Sequence, residues 1–221
     1  MKSVLSCFTV IGLLVSGPGT SQTLGYFLTD LKGEPITNTY SKITEGSPFF
    51  YPEWLKGRAV GMDGKVYDNL SVKLNLLDPG IHYLDDQQKE YRMSIPIKEL
   101  TLTDYEKRTT YTFIRAGSRC QGNPQAWYQV LDSGSAWLLK YETRTLIEVK
   151  PYGSAIPEEH VSPTTRYLVL TPQNCQAIKS PMDLWETLQT LKPGFAEKPR
   201  GKTNSKKLED ELVNINRLFN Q

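Results

Sequence analysis

The chain has 221 residues, of which 26 are basic and 24 acidic, so that its formal net charge is only +2. A balance this even gives little attraction for a polyanion, and we expect no nucleic acid among its partners. Hydrophobic residues make up 38% of the chain, with 12 Tyr, 7 Phe and 4 Trp. That content supports a packed core and excludes a wholly disordered protein.

The first 21 residues are typical of a secretory signal. Lys2 supplies a basic start, Val4–Val15 is uncharged and apolar, and Gly19–Ser21 offers small residues before a cleavage point. The apolar stretch is too short for a hydrocarbon core of about 30 Å, and no later stretch is longer, so we expect no transmembrane span. Residues 1–21 are therefore predicted to be a cleaved signal peptide. The protein would be periplasmic, associated with the outer membrane, or extracellular.

The cysteines agree with export. Cys7 lies within the predicted signal, which leaves Cys120 and Cys175 as a pair in an oxidising compartment. Loop-forming residues flank both of them, at 119–124 and 172–174. We predict a disulfide between the two, and two buried thiols are the alternative.

Residues 22–53 show weak periodicity and many turn formers, which predicts an extended N-terminal arm with one short strand at Tyr26–Leu28. The arm ends in a cluster of aromatic residues: Phe49, Phe50, Tyr51 and Trp54. Because turn formers surround this cluster, we predict an exposed patch that binds a partner. Packing of the same rings in the core is the alternative.

Residues 54–179 are predicted to form an antiparallel β domain. Asp63-Gly64 indicates a tight turn between two strands, since Gly accepts a positive φ at no steric cost. Within 71–76 the apolar residues Val72, Leu74 and Leu76 alternate with Lys73 and Asn75. Strict alternation predicts one buried face and one solvated face.

Later in this domain, Trp127–Leu131 and Ala136–Lys150 predict a hairpin across residues 132–135. The odd-numbered positions from Trp137 to Val149 share one face, and we expect Trp137 to pack in the core. Pro151–Arg166 is predicted to be a loop, followed by a buried strand at Tyr167–Leu170.

Residues 180–221 are predicted to form two helices packed on the same domain. Ser180-Pro181-Met182-Asp183 is a capping signature with proline at the first helical position. Leu184, Leu188 and Leu191 follow on one face. The last helix carries Leu208, Leu212, Ile215 and Phe219 at spacings of three and four.

The order of these signatures resembles a family of uncharacterised exported proteins from Bacteroidetes-type bacteria. The resemblance rests on residues 46–57, on Asp63-Gly64-Lys65-Val66-Tyr67 with Val72–Leu76, and on the two C-terminal helical segments. It implies export and a β-rich body with terminal helices. It implies no activity, so no residue role is carried over from it. The predicted fold is mainly β: a curved antiparallel sheet, a sandwich or a partly open barrel, closed by two C-terminal helices.

No pattern in the chain indicates catalysis. The Gly-x-Ser-x-Gly and Ser-x-x-Lys motifs are absent, and Asp132-Ser133-Gly134-Ser135 is better explained as a turn. His82 and His160 lack metal-ligand spacing. Candidate acids exist, but nothing in the sequence brings two of them together: Glu53, Asp63, Asp85, Asp86 and Glu90. We therefore expect no catalytic residue, no cofactor and no metal.

The sequence thus favours an exported, non-catalytic envelope or secreted protein that binds a partner, such as an envelope protein or a glycan. Two alternatives stay open. One is a β-barrel carrier of a small apolar ligand, held by inward residues such as Val72, Leu74, Tyr91 and Met93. The other is a hydrolase that acts on envelope polymers.

Overall fold

A computed structural model describes residues 33–36, 40–120, 123, 125–153, 156–199 and 207–221. The predicted signal peptide and the predicted strand at Tyr26–Leu28 lie outside the described residues. The strands are β1 (Gly33–Pro35), β2 (Ile43–Glu45), β3 (Leu55–Gly61), β4 (Val66–Asn75), β5 (Gly80–Leu84), β6 (Glu90–Met93), β7 (Ile97–Asp104), β8 (Thr109–Ile114), β9 (Tyr128–Asp132), β10 (Trp137–Val149), β11 (Glu158–Leu170) and β12 (Cys175–Ile178). The helices are α1 (Pro181–Gln189) and α2 (Leu208–Asn220), with one 3₁₀ turn at Gly117–Arg119.

The strands form one large, curved sheet that does not close, which confirms the predicted β fold with two C-terminal helices. Its order is β1-β6-β5-β4-β3-β7-β8-β9-β10-β11-β12, and all of these neighbours are antiparallel. Strand β2 pairs with β11 in parallel. The turn at Asp63-Gly64 joins β3 to β4, with Gly64 at a φ of 85°.

Curvature brings distant parts of the sheet together. Strand β1 pairs with β6 near one edge, whereas β2 pairs with β11 near the other. Eight residue steps separate Pro35 at the end of β1 from Ile43 at the start of β2. A chain of that length spans at most about 29 Å when fully extended, so these two ends lie no farther apart than that. The backbone N–H of Arg144 in β10 also donates to the carbonyl of Leu76, just after β4, at 3.2 Å. The outer half of the β10–β11 hairpin therefore lies beside the β4–β5 turn.

The alternation in β4 is confirmed on its apolar face. Val72 and Leu74 are fully buried and belong to the front core. This core comprises Leu55, Ala59, Tyr67, Leu70, Val72, Leu74, Leu76, Ile81, Tyr83, Met93, Ile97, Leu100, Leu102, Phe113 and Trp127. Burial of so many apolar side chains, each contributing roughly 1.5–3 kcal/mol, makes this face the main source of stability for the first half of the sheet.

The opposite face of β4 differs from the prediction. Lys73 is half-buried, and Asn75, expected to face solvent, is fully buried. Tyr40 and Phe49 from the predicted arm cover this face, and they contact Asn75 and the ring of His82. The sequence could not show this cover because it comes from a segment without clear periodicity.

The β10 strand also differs, because both of its faces are buried at the start of the strand. Leu138 packs with α1 and α2 in a second core, while its neighbour Leu139 packs on the other side with Tyr128 and Leu168. We call this second core the helix core, and it comprises Ala136, Leu138, Val169, Ile178, Leu184, Leu188, Leu212 and Phe219. Leu138 and Leu139 are both 0% exposed. Trp137, predicted to be in the core, is instead 36% exposed.

The predicted loop at Pro151–Arg166 was wrong over most of its length. β11 begins at Glu158 and pairs with β10 residue by residue from Val149 to Trp137. Pro163 lies between the part of β11 that pairs with β2 and the part that pairs with β12. A sheet tolerates proline at such an edge position, so the proline misled the prediction.

Helix α1 begins as predicted, with the Ser180 hydroxyl accepting a hydrogen bond from the Asp183 N–H at 3.1 Å. Leu184, Leu188 and Leu212 of the two helices are fully buried in the helix core, but Leu191 is 39% exposed. Two asparagines fasten α2 to the β9–β10 turn. The side-chain amides of Asn216 and Asn220 both donate to the Asp132 carboxylate and to the Ala136 carbonyl, at 2.7–3.1 Å.

Candidate functional site

An open groove of about 710 Å³ lies where the segment before β3 meets the turn between β7 and β8. We call it the aromatic groove. It is lined by Phe50, Tyr51, Pro52, Glu53, Trp54, Leu55, Lys56, Thr103, Asp104, Tyr105, Glu106 and Lys107. Three of the four aromatic residues singled out in the sequence line this groove, and Phe49 does not.

All four predicted site residues are half-buried. Their exposure is therefore intermediate between the two sequence predictions, an exposed patch and rings packed in the core. Phe49 and Phe50 point to opposite faces, because this segment extends along the end of β4 in a strand-like conformation. Phe50 packs edge-to-face on Tyr111 and Phe113, at 5.0 and 4.9 Å between ring centroids. It anchors the segment to the front core.

Tyr51 is held by two charged side chains from the β7–β8 turn. Its hydroxyl donates to Asp104 Oδ2 at 2.7 Å and accepts a hydrogen bond from the Lys107 ammonium. The Lys107 nitrogen also lies 4.6 Å from the ring centroid. The bond from Lys107 lowers the pKa of Tyr51, but the bond to Asp104 and partial burial outweigh it, and the pKa is raised. The phenol stays neutral, and the ring is fixed in place.

Trp54 is supported through Lys73 on the sheet below it. The Lys73 ammonium lies 4.8 Å from the Trp54 ring centroid and 5.0 Å from that of Phe49. Burial lowers the pKa of Lys73, against the opposing pull of Glu90 and Glu53. Such a cation–π contact contributes on the order of 0.5–1 kcal/mol at a partly exposed site. Lys73 thus fixes the position of the Trp54 ring relative to the Phe49 ring.

The far wall of the groove carries Tyr105, which sequence reasoning missed and which is 73% exposed. The turn has a positive φ at Arg108 and is closed by a hydrogen bond from the Lys107 N–H to Asp104 Oδ1 at 3.0 Å. Two lysines and three carboxylates line the groove, leaving one net negative charge: Lys56, Lys107, Glu53, Asp104 and Glu106. Aromatic rings with nearly balanced charge suit an uncharged, polar ligand better than an ion.

A polar cluster lies behind the groove, beneath Phe49. The Asn75 carbonyl oxygen accepts from the backbone N–H groups of Leu77 and Asp78 at 3.0 Å, so its amide nitrogen points to His82. His82 therefore accepts at Nε2 and donates from Nδ1 to Glu90, 2.7 Å away. Burial lowers the pKa of His82, although Glu90 opposes this. The imidazole is 2% exposed, so its position suits anchoring the segment that carries Phe49.

Three of the five acids named for hydrolysis have other partners, and of the five only Glu53 lines the aromatic groove. Asp63 and Asp85 accept hydrogen bonds from backbone N–H groups of their own turns, and Glu90 binds His82. Asp104 is the buried carboxylate of the groove. A hydrogen bond from the Lys107 N–H, aided by the Tyr51 hydroxyl, lowers the pKa of Asp104. A glycosidase acid needs the opposite shift, so Asp104 is not suited to that role.

The predicted disulfide is present. Cys120 is bonded to Cys175, with the two Cα atoms 4.9 Å apart. It ties the 3₁₀ turn after β8 to the start of β12 and completes a third core with Tyr128, Leu139 and Leu168.

Among the described residues, no group of three or more His, Cys, Asp or Glu side chains is placed to hold a metal ion. In the same residues, no helix combines the length and apolar character needed to cross a bilayer. No family model, curated protein or solved structure matches this chain. The resemblance to exported Bacteroidetes-type proteins therefore stays a prediction.

Proposed function

We propose that this protein is an exported, non-catalytic binding protein whose aromatic groove holds an uncharged, hydroxyl-rich ligand, a glycan of the cell envelope. The observation that carries the proposal is the groove itself. Its volume of about 710 Å³ lies within the usual range for ligand sites, roughly 300–1,000 Å³. Its walls offer the rings of Tyr51, Trp54 and Tyr105 beside hydroxyl, amine and carboxylate groups.

Aromatic rings and polar groups serve different parts of a sugar. The C–H faces of a pyranose pack on aromatic rings, while its hydroxyls need hydrogen-bond partners once water is displaced. Lys107 contacts the ring of Tyr51 and Lys73 contacts that of Trp54, so both rings are held in place and little conformational entropy is lost when a ligand binds. Glu53 and Lys56 supply polar groups at the rim.

The other two hypotheses receive less support. Val72, Leu74 and Met93, which would line a carrier cavity, are buried in the front core, and Tyr91 packs against that core. The open sheet order also differs from a closed barrel. For a hydrolase, the lowered pKa of Asp104 leaves this buried carboxylate unable to serve as the acid.

The experiment is a titration of the full exported protein with neutral envelope-type oligosaccharides, such as chito-oligosaccharides, followed by calorimetry. We expect saturable binding that Trp54→Ala weakens roughly fivefold, because stacking on an aromatic ring contributes on the order of 1 kcal/mol. Trp185→Ala is the matched control, since Trp185 is a half-buried tryptophan on α1, outside the groove. Equal loss in both variants, or no saturable binding, would contradict the proposal.

Export has its own test. Mass spectrometry of the mature protein from a fractionated producing cell should give an N-terminus near Gln22. An intact Met1 on the cytoplasmic protein would contradict export while leaving the groove proposal open to its own test.

A further inference from the structure

A second cleft, of about 400 Å³, lies beside the disulfide. We call it the basic cleft. It is lined by Lys98, Glu99, Ile114, Arg115, Ala116, Arg119, Gly134, Ser135, Trp137, Leu170, Thr171 and Pro172. Three of these side chains are basic and one is acidic, so the lining has two net positive charges, and it shares no residue with the aromatic groove.

The three cations have no carboxylate partner in the part of the chain that the structure describes. Lys98, Arg115 and Arg119 form no ion pair within 4.0 Å there, whereas other cations of the sheet do, such as Lys140 with Glu209 at 2.8 Å. Glu99 lines the same cleft without pairing with any of the three. A positive charge left uncompensated beside apolar walls favours the entry of an anion.

Arg115 is the most confined of the three. Its guanidinium lies 4.7 Å from the ring centroid of Trp127, and one terminal nitrogen donates to Gln125. Its Nε atom is buried with no hydrogen-bond partner among the described residues. Burial lowers the pKa of Arg115, with no opposing charge. The guanidinium nevertheless remains charged, because arginine does not lose its proton in proteins. Water solvates it poorly at this position, and a bound anion would offset the free-energy cost of that desolvation.

Arg119 is positioned by the fold itself. Its Nη2 donates to the Thr171 carbonyl at 3.0 Å, and the adjacent Cys120 is bonded to Cys175. Both the donor bond and the disulfide link the 3₁₀ turn to the segment between β11 and β12. Among the described residues the other donors of its guanidinium fork have no partner, and such a fork binds an oxyanion in a geometry that favours arginine over lysine.

The cleft also has an apolar wall. Trp137 is 36% exposed and lies with Leu170 and Pro172 around the same space. A large aromatic side chain at the surface beside unpaired arginines suits a ligand with one anionic group and one flat or aliphatic face.

We propose that the basic cleft is a binding site for a small organic oxyanion, with its carboxylate or sulfate group on Arg119, Arg115 and Lys98 and its ring on Trp137. An acidic sugar, either a uronate or a sulfated hexose, has this chemistry. The site is separate from the aromatic groove and does not depend on the function proposed for it.

The test is an NMR titration of the full-length mature protein with two organic anions, glucuronate and glucose 6-sulfate, with uncharged methyl glucoside, and with inorganic sulfate as the bare ion. We expect both anions to shift the Trp137 indole signal saturably and methyl glucoside to leave it in place. Whichever anion binds more tightly identifies the oxyanion source. Binding confined to inorganic sulfate, or an equal response to methyl glucoside, would overturn the proposal.

The matched variants are Arg119→Gln and Arg217→Gln. Arg119 is exposed, and Arg217 is an exposed arginine on α2 away from the cleft, so both changes remove one charge from the surface. Arg119→Gln should weaken anion binding about tenfold or more, while Arg217→Gln should change it less than twofold. If both variants weakened binding equally, the attraction would come from net charge, and the assigned site would be wrong. Calorimetry with glucuronate, which does not need the Trp137 signal, should show that Trp137→Phe keeps most of the affinity and that Trp137→Ala loses it.

Discussion

The aromatic groove and the basic cleft differ in how their charges are balanced. In the groove, Asp104 and Lys107 bind each other and share the hydroxyl of Tyr51. In the cleft, Lys98, Arg115 and Arg119 have no carboxylate partner among the described residues. Charges that are already paired fix the shape of a site, whereas unpaired charges remain available to a ligand. The comparison therefore assigns an uncharged ligand to one site and an anion to the other.

Loss of the disulfide should produce the largest difference in ligand binding between the two sites. Cys120→Ser with Cys175→Ser opens a loop whose ends are 55 residues apart, and chain entropy puts the cost at about 4 kcal/mol as an upper estimate. Denaturant unfolding measures this loss. Under conditions where the variant stays folded, anion binding should weaken because Arg119 precedes Cys120, while glycan binding should persist. Equal weakening at both sites would show that they are not independent.

The second prediction separates anchoring from binding inside the groove. Phe50→Ala should lower the free energy of unfolding by about 2–3 kcal/mol, because it removes the contacts to Tyr111 and Phe113. Trp54→Ala should cost about 1 kcal/mol or less, since it loses mainly partly exposed contacts such as that with Lys73. Thermal unfolding measures both. A larger loss for Trp54 than for Phe50 would place Trp54 in the core instead of at the binding surface.

These examples show what the sequence could predict. Alternation in β4 correctly predicted the buried side of Val72 and Leu74, because the front core covers only one face of that strand. It failed at Leu138 and Leu139, because helices cover one face of β10 and the third core covers the other. The alternation of apolar residues along a strand indicates which face of that strand is buried. It does not indicate whether another part of the chain packs on the opposite face.

The candidate sites could be predicted only where their residues lie close together in the sequence. The aromatic cluster was predictable because Phe50, Tyr51 and Trp54 are close in sequence. Tyr105 was missed because the β7–β8 turn reaches the groove only through pairing of β3 with β7. The basic cleft joins side chains from β7, β8, the 3₁₀ turn and the end of β11, and no local pattern indicates their meeting.

Acidification should reduce stability through His82, which lies behind the aromatic groove, and so should weaken binding in the groove before binding in the cleft. His82 has a lowered pKa, so above its unfolded value of 6.5 it is neutral in both states and contributes no pH dependence. Below that value the unfolded chain binds a proton that the folded chain resists, and stability falls with falling pH. The charged and titratable groups that face His82 are Tyr40, Lys73, Asp78, Glu90 and Arg92.

The measurement is the midpoint of thermal unfolding between pH 7.5 and 5, for the native chain, His82→Gln and His160→Gln. His160 is the other histidine and serves as the control, since it is half-buried and bound to Glu45 and Glu158. His82→Gln should flatten the decline below pH 6.5, and His160→Gln should not. Glycan binding should weaken over the same range, because the ring of Phe49, 5.1 Å from that of His82, anchors the segment that continues into the groove residues Phe50 and Tyr51. An unchanged slope in His82→Gln would contradict this assignment.

Salt should produce the smallest effect. Raising ionic strength from about 0.05 to 0.5 M shortens the screening length to a few ångströms and should weaken anion binding in the cleft several-fold. Glycan binding in the groove should change by less than about 1.5-fold, because the glycan itself carries no charge. Calorimetry with glucuronate and with a chito-oligosaccharide measures both, and a strong salt effect on the chito-oligosaccharide would argue against a neutral site.

The most direct measurement follows the indole N–H signals of the tryptophans in one NMR titration. The chain has four, and Trp185, which lines neither site, serves as the internal reference. We predict that a neutral oligosaccharide moves the Trp54 signal and leaves that of Trp137 in place, while an organic anion does the reverse. A neutral sugar that moved Trp137, or an anion that moved Trp54 alone, would contradict the division of charge between the two sites.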